Sequence, residues 1–343
     1  YKRQAMNTYD GNMLDLQGKT LLPGFIDAHG HAYMAGFQSL AANLLPPPDG
    51  EGTSVKELVR LCKEWADVNQ TAIGQVGWIV GFGYDDAQLE EGRHPVADEL
   101  DSISVEYPVI LVHQSGHLAA MNHKALEMAG YNESTANPPG GIIRRVEGSN
   151  KPNGVLEEMA MFIPLFSVFD KFDEEANRKI ALAGIEAYTS FGFTTAQEGR
   201  ATTEVTETWR SLANDGALDI DVVSYPDIQK ELNYMEKMGV QDTYSNHFRI
   251  GGIKISLDGS PQGKTAWLTE PYKVPPAGET KDYKGYPAFE NEEQVFSFLE
   301  TAYKNNWQVL AHCNGDASGD QYIRGLKNAS EKYGNNDRRS VMI

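Results

Sequence analysis

The chain has 343 residues, 41% of them hydrophobic, and a formal net charge of −18 at pH 7. So acidic a balance lacks the basic footprint of a nucleic-acid or anionic-membrane binder and points to small-molecule chemistry. Two cysteines, Cys62 and Cys313, are too few for a disulfide framework and fit a reducing, cytoplasmic compartment; no stretch reaches the ~20 apolar residues of a membrane span, and no N-terminal targeting segment is visible.

In chain order, the first signal is the apolar run from Leu21 to Ile26, which leads through Asp27-Ala28 into His29-Gly30-His31. Read as a buried strand over 21–31 entered through Pro23-Gly24, it sends both imidazoles out of the same face, because strand side chains repeat every second residue. Two adjacent imidazoles can chelate one metal; the plainer alternative is a hydrogen-bonded pair at a strand end.

Residues 43–172 break the pattern with Pro46-Pro47-Pro48, the glycine-rich 74–83 stretch, a strand over Pro108 to His113 and the loop Pro138-Pro139-Gly140-Gly141. This reads as an inserted α/β subdomain overhanging the C-terminal end of the first strand. His117, in Gly116-His117, could reach over that rim to polarise a substrate carbonyl, the alternative being a structural loop histidine. His113, amid Val109 to Val112, reads as a satisfied buried histidine.

From residue 173 strands and helices alternate. Asp173 caps a helix carrying Ile180, Gly184, Ile185 and Tyr188, followed by a strand over 193–198 and a helix with Val205, Trp209, Leu212 and Ala213 on one face. Next come a strand over 218–225, a helix over Ile228 to Met238, a strand over 249–257, a helical face of Val295, Phe298, Leu299 and Ala302, and a strand over 307–313. A sixth strand begins at Ser340. Such βαβ units predict a parallel sheet, and in a parallel barrel the C-terminal strand ends share one rim, where His312 would meet His29 and His31.

Lys254 lies in an otherwise apolar strand between Ile253 and Ile255. A buried ammonium is costly unless paired. Carbamylation by CO2 would convert it to a carboxylate able to bridge two metals, whereas an ion pair with Glu198, which closes the second strand, would leave Glu198 as the oxygen ligand. Oxygen plus imidazole suits zinc, with iron and manganese as alternatives. Other templates fail: Gly259 to Thr265 has three residues between its glycines where a phosphate loop needs four, and no G-x-S-x-G elbow is present. Hydrolysis by metal-activated water remains.

Taken together, Gly18 through His31, Gly116-His117 with Asn122, Asn153 through Leu156 with Glu158, Ile253-Lys254-Ile255 with Asp258-Gly259-Ser260, and His312 resemble the amidohydrolase superfamily, specifically its YtcJ-like amidohydrolase 3 group. The resemblance implies a (β/α)8 TIM barrel of the α/β class with one or two divalent metals. It makes His29 and His31 first-strand ligands, Lys254 or Glu198 the bridging carboxylate, and His312 the fifth-strand ligand. Residues 1–20 would be the remnant of a small β-sandwich, 21–42 the first barrel strand with its metal motif, 43–172 the insertion, and 173–343 barrel strands two to six.

The same resemblance calls for a sixth-strand histidine and an eighth-strand aspartate as general base, which this sequence does not contain. It therefore implies a fragment cut at Ile343, with little activity of its own and open sheet edges that favour self-association. The expected function is metal-dependent hydrolysis of amide or N-acyl C–N bonds in a small molecule. A metal-dependent deaminase of a ring amine and a catalytically silent binding module are the alternatives.

Overall fold

A computed structural model describes residues 14–169, 171–276 and 279–343; most of the expected β-sandwich remnant, residues 1–13, lies outside the described residues. Among the described residues the first element is β1 (Phe25–Ile26), far shorter than the strand expected over 21–31. Among the described residues β1 pairs only with a later strand, through Phe25 and Ile26, and the apolar run is not buried: Leu21 and Ile26 are 74% and 72% exposed. Helix α1 (Ala32–Leu40) follows at once, and His31 stands at its N-cap rather than within a strand. Gly30 is demanded at this junction, since a Cβ there would overlap the Asp27 carboxylate and the Tyr188 hydroxyl that donates to it.

The intervening region contains β2 (Ala42–Asn43), α2 (Val55–Val68), α3 (Gln70–Val76), β3 (Ile79–Tyr84), α4 (Ala97–Leu100), β4 (Val109–His113), β5 (Leu118–Met121), α5 (His123–Met128), β6 (Gly141–Arg145), β7 (Pro152–Glu158) and α6 (Met159–Phe169). Its strands form one six-stranded sheet, ordered β2-β3-β4-β5-β7-β6. The first three are parallel and the rest antiparallel. Alternation along β4 divides the core: Val109 and Leu111 pack with Leu58 and Cys62 of α2, while Ile110 and Val112 join the main core with Tyr33 and Phe37 of α1. Two side chains start the helices here: Ser54 Oγ accepts from Glu57 N–H, and Asn122 Oδ1 accepts from Ala125 N–H.

The remainder alternates as expected through α7 (Glu174–Ser190), β8 (Phe193–Ala201), α8 (Thr203–Asn214), β9 (Asp221–Pro226), α9 (Ile228–Met238), β10 (Phe248–Ile250), β11 (Gly252–Ser256), α10 (Glu292–Lys304), β12 (Gln308–His312), α11 (Asp316–Tyr333) and β13 (Val341–Met342). Asp173 caps α7 by accepting from Ala176 N–H. The strand expected over 249–257 is broken at Gly251, where a Cβ would lie 2.6 Å from Val223 Cγ2 and 2.9 Å from the Tyr225 hydroxyl. β10 consequently pairs with β9, and β11 with β12.

The parallel strands make two sheets, β1-β8-β9-β10 and β11-β12-β13, linked by a bridge between Asp227 and Lys254. Helices cover one face through Ile253, Ile255, Val309 and Ala311, while Val223, Tyr225 and Leu310 cluster on the other, the inner face. Among the described residues no strand pairs β13 with β1, so the parallel strands of this α/β architecture form an open series and no closed barrel. Among them, too, no helix is long and apolar enough to cross a membrane.

Candidate metal centre

Strand register places Lys254 opposite Leu310 and His312 opposite Ser256, which puts the amine on the inner face and His312 at the strand end. Lys254 is 1% exposed, and its Nζ lies 3.4 Å from His29 Nε2. Burial, reinforced by the Arg200 cation, lowers the lysine pKa to about 8. The His29 and His31 rings sit with centroids 5.7 Å apart. His31 Nδ1 donates to Gly199 O across 2.6 Å, which fixes the tautomer and leaves Nε2 with its lone pair.

His31 is exposed as a residue, yet the protein packed around the ring, together with Lys254, lowers its pKa to about 3. His312 is lowered to about 4 by burial first and then by Lys254 and His117; its Nε2 lies 3.2 Å from Gly259 O. The imidazoles are thus held neutral, the form that ligates metal. Among the described residues no carboxylate lies within ion-pair range of the Lys254 amine, so the neutral imidazoles near it would fit a divalent metal once the amine gives up its positive charge.

Glu198 does not complete this set. Its register partner Ser224 bonds Thr206 on α8, and Glu198 Oε2 itself accepts from Tyr33 N–H at 2.6 Å and Trp209 Nε1–H at 3.2 Å. The carboxylate therefore faces the helices, and burial raises its pKa to about 8. The expected ion pair between Lys254 and Glu198 is replaced by one between Arg200 Nε and Asp227 Oδ2, at 3.1 Å. Gln197, one residue earlier and opposite Val223, takes the inner face; its Nε2 donates to Ala28 O, while Oε1 is buried without a partner. The strand's alternation could have suggested Gln197, but the choice of face could not be read at a strand end.

His117 reaches the rim as expected, with its ring centroid 5.9 Å from that of His312. Its Nδ1 lies 2.9 Å from Glu158 Oε2, and Thr265 Oγ1 donates to Glu158 Oε1 at 2.5 Å, so the carboxylate is held while it orients the imidazole. Asp258 and Asn122, both within the resembling motifs, are structural: Asp258 Oδ2 accepts from Gly315 N–H and Ser318 Oγ–H at the start of α11, and Asn122 caps α5.

Among the described residues, three imidazole or carboxylate donors converge within 4.8 Å in two places, Asp85–Asp86–His113 and Asp98–Asp101–His123, whereas His29, His31 and His312 stand farther apart than that. Buried His113 accepts from Ser115 N–H at Nδ1, so in the neutral ring Nε2 carries the proton and faces Asp86 Oδ1 at 3.2 Å and Asp85 Oδ1 at 3.6 Å. Neither carboxylate is aligned for a hydrogen bond to Nε2. His113 is therefore satisfied on one nitrogen only.

With this geometry in hand, the model of the amidohydrolase family matches residues 12–343. The chain belongs to the amidohydrolase family. It is 28% identical to "Protein LONG AFTER FAR-RED 3" of Arabidopsis thaliana, covering 96% of this chain and 56% of that one. To "N-substituted formamide deformylase" of Arthrobacter pascens it is 30% identical, over 59% of this chain and 36% of the relative. With "Putative amidohydrolase YtcJ" of Bacillus subtilis it shares 22% identity over 95% of this chain and 59% of the relative. This amidohydrolase chain thus spans about half the length of the curated relatives it matches. A solved metal-dependent hydrolase from Pyrococcus horikoshii superposes with a TM-score of 0.67 at 22% identity, over 96% of this chain and 60% of the other, and shares the fold.

Proposed function

We propose that this amidohydrolase-family chain carries the metal centre of a hydrolase that cleaves C–N bonds of amide or N-acyl small molecules. His29, His31 and His312 are its imidazole ligands, and Lys254, carbamylated by CO2, is its oxygen donor for zinc. The observation that carries the reading is Lys254: a buried amine, weakened as a base, with no carboxylate in ion-pair range among the described residues and His29 Nε2 beside it. The neutral amine attacks CO2, forming an N–C bond and losing a proton, and the product is an anionic carbamate. When bound, the metal supplies a Lewis acid that lowers the pKa of water to ~7 and polarises a carbonyl.

The chain's own residues do the rest. Gly199 O and Gly259 O hold the ligand imidazoles in orientation. His117, steered by Glu158, stands beside His312 to donate a hydrogen bond to a substrate carbonyl. In this reading 21–42 and 173–343 furnish ligands, and the insertion over 43–172 furnishes the wall carrying His117. The deformylase relative, whose name specifies an N-substituted formamide, supports a C–N substrate.

Elemental analysis of the purified chain tests the centre. Wild type should hold at least one more metal ion per chain than the combined His29→Ala and His31→Ala variant. Equal metal content in the two proteins contradicts it.

A further inference from the structure

Two cations, Lys254 and Arg200, lie close together in a chain that is acidic as a whole. Arg200 is near enough to depress both Lys254 and His31, and Asp227 is the carboxylate that offsets it at Lys254. Arg200 directly follows Gly199, whose carbonyl holds His31, and its backbone is left-handed at φ 61, a conformation that a non-glycine residue adopts at a cost. Asp227 engages Nε alone, and Asp227 is itself fixed as the cap of α9 by accepting from Gln229 N–H. Among the described residues no hydrogen bond involves Nη1 or Nη2 of Arg200.

The guanidinium carbon lies 5.8 Å from the centroid of Phe162, whose ring centroid is 6.4 Å from that of His117. Contacts thus run from Arg200 through Phe162 and His117 to His312. A fork pinned through Nε with both terminal nitrogens available matches the planar, two-oxygen geometry of a carboxylate.

We propose that Arg200 determines specificity by pairing with a substrate carboxylate next to the scissile bond, so that the substrates are N-acylated amino acids whose apolar part rests on Phe162. This rests on the C–N hydrolase reading, yet its test does not need turnover. Calorimetric titration of the full chain with N-acetylphenylalanine and with its methyl ester should show the acid binding about tenfold or more tightly, as expected for a charge-assisted pair. Arg200→Met should bring the acid down to the ester's affinity, with metal content unchanged. Acid and ester binding alike, neither binding, or an acid preference surviving in Arg200→Met overturns the proposal. Loss of the His29/His31-dependent metal is the separate failure of the hydrolase reading.

Discussion

The two histidine-rich regions differ in what the imidazoles face. In the insertion each is set against carboxylate: His113 against Asp85 and Asp86, His94 against Asp86, and His123 against Asp98 and Asp101. On the inner face of the parallel sheet, His31 and His312 contact backbone carbonyls, and His29 contacts the Lys254 amine. Carboxylate partners offset an imidazole without any ion, even where, as at His113 Nε2, they approach it without an aligned hydrogen bond. The inner group has neutral donors and an amine of the wrong charge for a metal, and a single change, amine to carbamate, reverses that charge.

Lys254→Met should break the inner group most completely, abolishing bicarbonate-dependent metal uptake. Because an apolar side chain of similar length replaces a buried amine with no carboxylate in ion-pair range among the described residues, thermal stability should hold or rise. A drop in stability with metal retained would reverse the comparison. In the insertion, His113→Ala should do the opposite, leaving two carboxylates without their imidazole and costing about 1–3 kcal/mol in denaturant unfolding while sparing the inner metal.

Glu198 sharpens the distinction between facing the metal and facing the helices. Its folded pKa, about 8, is raised above the ordinary carboxylate value, so its contribution to stability is full below about pH 4.3 and is lost as pH rises through about 8. Glu198→Gln should flatten the stability profile across that window and leave metal content unchanged; loss of metal would return Glu198 to the ligand set. Smallest is Thr265→Val, which removes one hydroxyl donor to Glu158 and should cost about 0.5–1.5 kcal/mol, with a shift in the His117 ring resonances by NMR.

The alternating pattern was legible wherever caps and periodic apolar residues agreed, as at Asp173 and over Ile228 to Met238, where the helix has the expected bounds. Lys254, His117, His312 and the first-strand pair do gather at one rim. Three features were not legible. The run over 21–26 looked buried because its composition is that of a core strand, yet burial depends on partners that composition does not reveal. The break at Gly251 answers Val223 and Tyr225 on a neighbouring strand, a long-range contact. Glu198 and Gln197 exchange roles through the parity of one residue, and a register irregularity between Gly199 and Ala201 lies just beyond them.

The most direct test supplies 13C-bicarbonate and zinc to the purified chain and follows the carbamate carbon by NMR as pH is raised from about 6.5 to 9. The account predicts a carbamate signal that grows as Lys254 loses its proton near pH 8, appears together with stoichiometric zinc, and is absent in Lys254→Met. Zinc bound equally with and without bicarbonate, or no carbamate at any pH, would contradict it.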